Sequence, residues 1–237
     1  MNHDYPVRIN RYLYLEKICS RREADRLIEE GSVLVNGSPA VLGQQIEKGD
    51  KVEVVGTKRK KLTEIYYVLI NKPVGVVSHN PQSHEKSIES FVRDIPVKLS
   101  PVGRLDKASH GLMLLSNDGL IVDRMLNPKY EHEKEYVVTV DKRIDKHFLE
   151  KMRSGVKIEG YLTKPATVSK LDPRVFRIVL TEGKKHQIRR MAAACGYQIK
   201  DLKRIRIGEL RLGTLKSGKY KILKGLELLK FRQSLDS

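Results

Sequence analysis

The 237-residue chain contains no tryptophan, four phenylalanines and two cysteines. Aromatic side chains are scarce, yet 40% of the residues are hydrophobic, which is enough for a packed core and argues against a disordered chain. Cys19 and Cys195 are far apart and neither belongs to a CxxC pair. That argues against a disulfide framework or a cysteine-based metal site, and the thiols are expected to be reduced, in a cytoplasmic protein. No apolar run approaches the roughly 18 residues of a membrane span. The N-terminal MNHDYPVRIN is too polar for a signal peptide. No GxGxxG phosphate loop follows a strand, the seven histidines lack metal-ligand spacing, and no internal repeat is visible. Neither a metal nor an organic cofactor is expected.

Acidic residues are also in short supply, 29 against 46 basic, for a net charge of +17. The deficit is uneven. Residues 1–64 hold 12 basic and 10 acidic groups, whereas 65–237 hold 34 and 19. Between 184 and 224 there are 13 basic residues against only Asp201 and Glu209. Such an imbalance suits a polyanionic partner, and a solvated basic surface is the bland alternative.

The N-terminal part reads as a small module. Apolar positions in residues 7–18 recur at roughly helical spacing. Ser20-Arg21-Arg22-Glu23 fits a capping box, opening a second helix from Arg21 to Glu30 that stops at Gly31. Val33 to Val35, the turn signal Asn36-Gly37, and Lys51 to Val55 predict short strands. Residues 56–61, GTKRKK, have linker composition. The expected division is 1–58, a linker at 59–64, and 65–237.

In the second part, strands are predicted at Ile65 to Ile70, in the run 132–141, at Thr163 to Lys170 and at Val175 to Leu180. Helices are predicted at Asp118 to Leu126, from Asp145 through Met152, before Gly196, and over 225–232. Ile199 to Leu215 reads as a strand pair around Gly208. Strands without regular helical crossovers predict an α+β fold with a mixed, largely antiparallel sheet flanked by helices. At its centre lies Val102 to Gly119, VGRLDKASHGLMLLSNDG: a polar loop with Arg104 and Asp106, then a buried strand, Leu112 to Ser116. By residue type alone an Asp in such a loop is more often a turn former or helix cap than a catalyst.

Three motifs in order carry more information. GRLDxxxxGLxLLSNDG, KEYxV and EGxxHQIRRM contain Asp106, Tyr136 and Arg189. Together with LINKPVGVVS they resemble the RNA pseudouridine synthases of the RsuA/RluB/RluE/RluF group. The departures are at Ala108 and His110. The pattern RxNxYL…CSRREADxxIEEGxVxVNG resembles an S4 RNA-binding domain. CSRREAD and RxRI lean toward the RluF type, acting on a stem-loop of large-subunit (23S) ribosomal RNA and in some cases a tRNA anticodon stem-loop. A monomer is expected.

The resemblance implies isomerisation of uridine to pseudouridine. An ionised Asp106 attacks C1′ or takes a ribose proton. Arg189 pairs with it, or contacts phosphate. Tyr136 stacks on the flipped base, unless it is simply a core strand residue. His186 and Gln187 read as supporting groups. The resemblance also implies RNA contacts from Arg8, Arg11, Arg21, Arg22 and Arg26 in the S4-like module. In the second part the candidates are Arg104, Lys107, Lys184, Lys185, Arg190, Lys203 and Arg204. A non-catalytic S4-bearing assembly factor is the alternative reading, and it would not need Asp106, Tyr136 and Arg189 together.

Overall fold

The structure is a computed structural model that describes residues 5–16, 18–56, 64–127 and 130–235. The chain forms two compact units, Met1–Glu64 and Ile65–Ser237. Most of the expected linker, 59–64, lies outside the described residues.

The first unit runs β1 (Val7–Arg8), α1 (Ile9–Leu15), α2 (Arg21–Glu29), β2 (Val33–Val35), β3 (Ser38–Pro39), β4 (Gln45–Ile46) and β5 (Val52–Val54). The expected first helix is shorter at both ends, because Val7 and Arg8 pair with Ile46 and Gln45 instead. The Ser20 hydroxyl accepts the Glu23 amide at 3.3 Å, as the capping pattern requires. Ile9, Leu13, Ala24, Leu27 and Ile28 from the helices meet Val33, Val35 and Ile46 in one aliphatic core.

The second unit runs β6 (Tyr67–Lys72), a 3₁₀ turn (Ile88–Phe91), β7 (Ser100–Val102), β8 (His110–Ser116), α3 (Gly119–Leu126), β9 (Lys134–Val140) and α4 (Lys146–Ser154). Then follow β10 (Lys157–Ile158), β11 (Tyr161–Leu162), β12 (Thr167–Asp172), β13 (Val175–Leu180), α5 (Gln187–Ala194), β14 (Ile199–Ile207), β15 (Leu210–Arg211), β16 (Tyr220–Ile222) and α6 (Gly225–Gln233). Nine strands form the main sheet, in the order β12-β13-β9-β14-β8-β6-β16, with β15 on β14 and β7 on β8. Every pairing is antiparallel except β14 with β8. The predicted mixed sheet is therefore present, and β16, too short and polar to stand out in the sequence, closes its edge.

Both faces of the sheet are covered, which explains the unbroken apolar runs in β6 and β8. Val68, Ile70, Met113 and Leu115 face one core with Phe148 and Met152 of α4 and Ile188 and Met191 of α5. Tyr67, Leu69, Leu112 and Leu114 face the other with Ile121 and Met125 of α3 and Phe231 of α6. No helix among the described residues is long and apolar enough to cross a membrane.

Candidate active site

The loop before β8 carries Asp106, and several elements pin it. The Ser78 hydroxyl donates to Leu105 O at 2.6 Å and accepts the Leu105 amide at 3.1 Å. Gly75 N donates to Lys107 O at 2.8 Å. Lys72 Nζ donates to Ser109 O at 2.6 Å, and Arg189 Nη2 donates to Ala108 O at 3.1 Å and Ser109 Oγ at 3.3 Å. His110 Nε2 lies 2.9 Å from Asp201 Oδ1 on β14. The Asp106 carboxylate itself stays 37% exposed. A rigidly held loop thus presents an open carboxylate, the arrangement a nucleophile or base requires.

Behind the loop, four residues stand in one cross-strand row on the α5 face of the sheet. Tyr136 of β9 is opposite Arg204 of β14, Arg204 opposite Gly111 of β8, and Gly111 opposite Lys72 of β6. Gly111 leaves room for its neighbours. A Cβ there would lie 2.2 Å from Arg204 O. Arg204 is 3% exposed; its Nε donates to Leu112 O at 2.8 Å and its Nη1 to Arg104 O at 3.4 Å, while Nη2 is buried without a protein acceptor. Arg204 is thus buried away from solvent, whereas the sequence expectation made it an RNA contact. In the alternating pattern of β14 it falls on the same face as buried Leu202, so it braces the sheet and the Arg104 carbonyl.

Lys72 was missed as a site residue, because Asn71-Lys72-Pro73 reads as the end of a strand. The strand instead runs through Lys72, whose side chain is fully buried with no carboxylate among the described residues bonded to it; Nζ is held by the carbonyls of Pro73 and Ser109. Burial pushes its pKa down to about 8, with the Asp106 charge opposing that shift and Arg204 adding to it. An invariant signal for it in one sequence is lacking, but a lysine directly after the apolar run YVLIN was the available clue. Between pH 8 and its ordinary 10.5, the unfolded chain holds a proton on Lys72 that the folded protein lacks. Stability from this group therefore rises with pH across that window. Lys72→Met should remove that rise, as read by urea melts of variant and wild type at both ends of the window.

The other predicted residues are placed as follows. Tyr136 is buried, 9% exposed, in the same core as Leu105, Met113 and Ile188. Arg189 does not pair with Asp106: its guanidinium bonds the loop at Ala108 and Ser109, and among the described residues the one basic side chain within 4 Å of the Asp106 carboxylate is His186, with Nε2 3.3 Å from Oδ1. Arg104, Lys107 and Lys185 are exposed and Lys203 is half-buried. Lys107 pairs with Glu85 at 2.9 Å, Arg190 with Glu159 at 2.7 Å, and Lys184 Nζ lies 3.5 Å from the Tyr161 ring centroid. In the first unit Arg8, Arg11, Arg21, Arg22 and Arg26 are all exposed. Arg26 is taken by Glu23 at 2.6 Å and Glu30 at 2.8 Å.

Comparison with known proteins decides the family. The model of the family described as RNA pseudouridylate synthase matches residues 66–194, more than half of the chain. The chain belongs to the RNA pseudouridylate synthase family. It is a pseudouridine synthase, an isomerase, with an S4 domain matched at residues 7–52. The synthase is 42% identical over 228 residues to the dual-specificity RNA pseudouridine synthase RluF of Escherichia coli strain K12, covering 95% of this chain and 78% of the relative. It is 34% identical over 227 residues to the ribosomal large subunit pseudouridine synthase B of Bacillus subtilis strain 168, covering 92% and 93%. A crystal structure of a pseudouridylate synthase superposes with a TM-score of 0.70 at 29% identity, covering 97% of this synthase and 99% of that chain.

Proposed function

We propose that the synthase converts a specific uridine to pseudouridine in a stem-loop of large-subunit (23S) ribosomal RNA, with a tRNA anticodon stem-loop as a second substrate. The observation that carries this reading is the open Asp106 carboxylate on a pinned loop within the family-matched unit. The names of the relatives, one dual-specificity and one for the ribosomal large subunit, support the substrate class. In this reading residues 65–237 are the catalytic domain and 1–58 bind RNA, joined at 59–64.

The reaction moves no atoms in or out. The N1–C1′ bond breaks, the uracil turns over, a C5–C1′ bond forms, and the C5 proton moves to N1 by way of solvent or a side chain. Asp106 provides the anion, by attack at C1′ or by taking a ribose proton. Arg189 and Lys72 hold the loop that carries it, through the Ala108 and Ser109 carbonyls and the Ser109 hydroxyl. Tyr136, two strands along the row from Gly111, offers an aromatic surface to a flipped base and offsets part of the few kcal/mol that flipping a base costs. Exposed Arg104 and Lys185, with Arg8, Arg21 and Arg22 in the first unit, supply phosphate contacts.

Mapping pseudouridines in ribosomal RNA and tRNA from cells lacking the gene tests the substrate: one large-subunit position should be lost and should return on complementation. An unchanged large-subunit map would remove that assignment. Affinity for the affected stem-loop should fall steeply with salt, log K dropping about 0.7–0.9 per phosphate neutralised for each unit of log salt. A flat response in a filter-binding series would make the basic excess a solubility feature only.

A further inference from the structure

We infer that His186 is a positioning residue for Asp106, fixing the orientation of its carboxylate. The inference rests on the reading of Asp106 as the reacting anion. His186 Nε2 is 3.3 Å from Asp106 Oδ1, and both side chains lie at the surface, 44% and 37% exposed. Arg189, the cation the sequence suggested for this duty, is turned to the loop backbone behind Asp106.

The backbone is built to hold this imidazole in place. His186 is in the left-handed region, φ 55° and ψ 23°, at the N-terminal boundary of α5. That conformation is uncommon for a non-glycine residue. Beside it, buried Gln187 accepts the Lys184 amide on Oε1 at 3.0 Å and donates from Nε2 to Glu182 Oε1 at 2.5 Å, clamping the 182–187 loop. Arg190 N then donates to His186 O at 3.0 Å and starts the helix.

The other charged groups around the imidazole are committed elsewhere or lie farther back. Lys184 sits over the Tyr161 ring, Arg190 pairs with Glu159, and Lys72 is held behind Asp106 by two carbonyls. Lys185, beside His186 in the same loop, is exposed. An imidazole nitrogen at Oδ1 fixes which carboxylate oxygen faces outward.

The test is single-turnover isomerisation of the stem-loop for wild type, His186→Gln, His186→Arg and Asp106→Asn, with RNA affinity measured in parallel. His186→Gln should lower the rate about tenfold with affinity changed less than threefold, equivalent to a modest barrier increase. His186→Arg, which keeps a donor at this point, should recover part of that rate. If Asp106→Asn is inactive while both His186 variants keep the wild-type rate, His186 is a bystander. If His186→Gln weakens affinity and leaves the rate of bound RNA unchanged, His186 is an RNA contact and the inference fails. An active Asp106→Asn protein would remove the Asp106 reading and this inference with it.

Discussion

Asp106→Asn should form no measurable pseudouridine, with a rate loss of at least about 10³-fold, while its stem-loop affinity stays within a few-fold of wild type. The substitution keeps the size and most of the hydrogen-bonding capacity of the side chain and removes only the anion. The loop around it should not move, because Ser78, Gly75, Lys72 and Arg189 hold its backbone and Ser109 hydroxyl rather than its carboxylate. With no competing shift in fold, chemistry and binding separate cleanly in one measurement: single-turnover rate on pre-bound RNA. Near-wild-type turnover would show that the open carboxylate is not the reacting group, and the RNA-binding alternative would regain its place.

Gly111→Ala should be the most damaging small substitution in the second unit. Gly111 has φ 106°, outside the range of an L-residue, and its Cβ would sit 2.2 Å from Arg204 O and 2.8 Å from Arg204 N. Both neighbours are backbone of β14, the strand that pairs with β8 in parallel there, so no side-chain rotation relieves the contact. Backbone strain alone costs about 1–3 kcal/mol, and separating the two strands adds to it, so a total above about 3 kcal/mol is expected. For a unit of this size that corresponds to a fall in Tm of roughly 6–12 °C. Thermal melts check it. Activity should fall more than stability alone explains, since the same separation shifts the end of the Asp106 loop. A Tm within 2 °C of wild type, on the order of 1 kcal/mol or less, would show that β8 and β14 can part at little cost.

Local pattern carried the sequence reading wherever one segment decides its own structure. The Ser20 cap, the Asn36-Gly37 turn, the Asp145 cap and the apolar run of β8 were all legible, since each depends on residues within a few positions. Alternation in β9 marked Tyr136, Val138 and Val140 as facing one way, and all three are buried. Arg204 shows the limit. Its neighbours Lys203 and Arg206 suggested one basic strand, but only the pairing of β14 between β9 and β8 reveals that Arg204 points into the core while Lys203 remains half-buried. Lys72 failed for a related reason: a lysine at a strand end reads as solvated until another segment supplies the carbonyls that hold it. His186 carried no periodic signal at all, since a left-handed junction between a loop and a helix has none.

By itself the sequence determined the module order, the positive charge of the second unit, the polar loop bearing Asp106 and the strand behind it. Each follows from composition or from short-range periodicity, which are properties of a single segment. Tertiary structure alone decided the row Tyr136–Arg204–Gly111–Lys72, the turning of Arg189 toward Ala108 and Ser109, and the meeting of His186 with Asp106. These contacts join residues dozens of positions apart. Their register is set by which strands become neighbours and how both faces of the sheet are covered, and no local repeat encodes that choice.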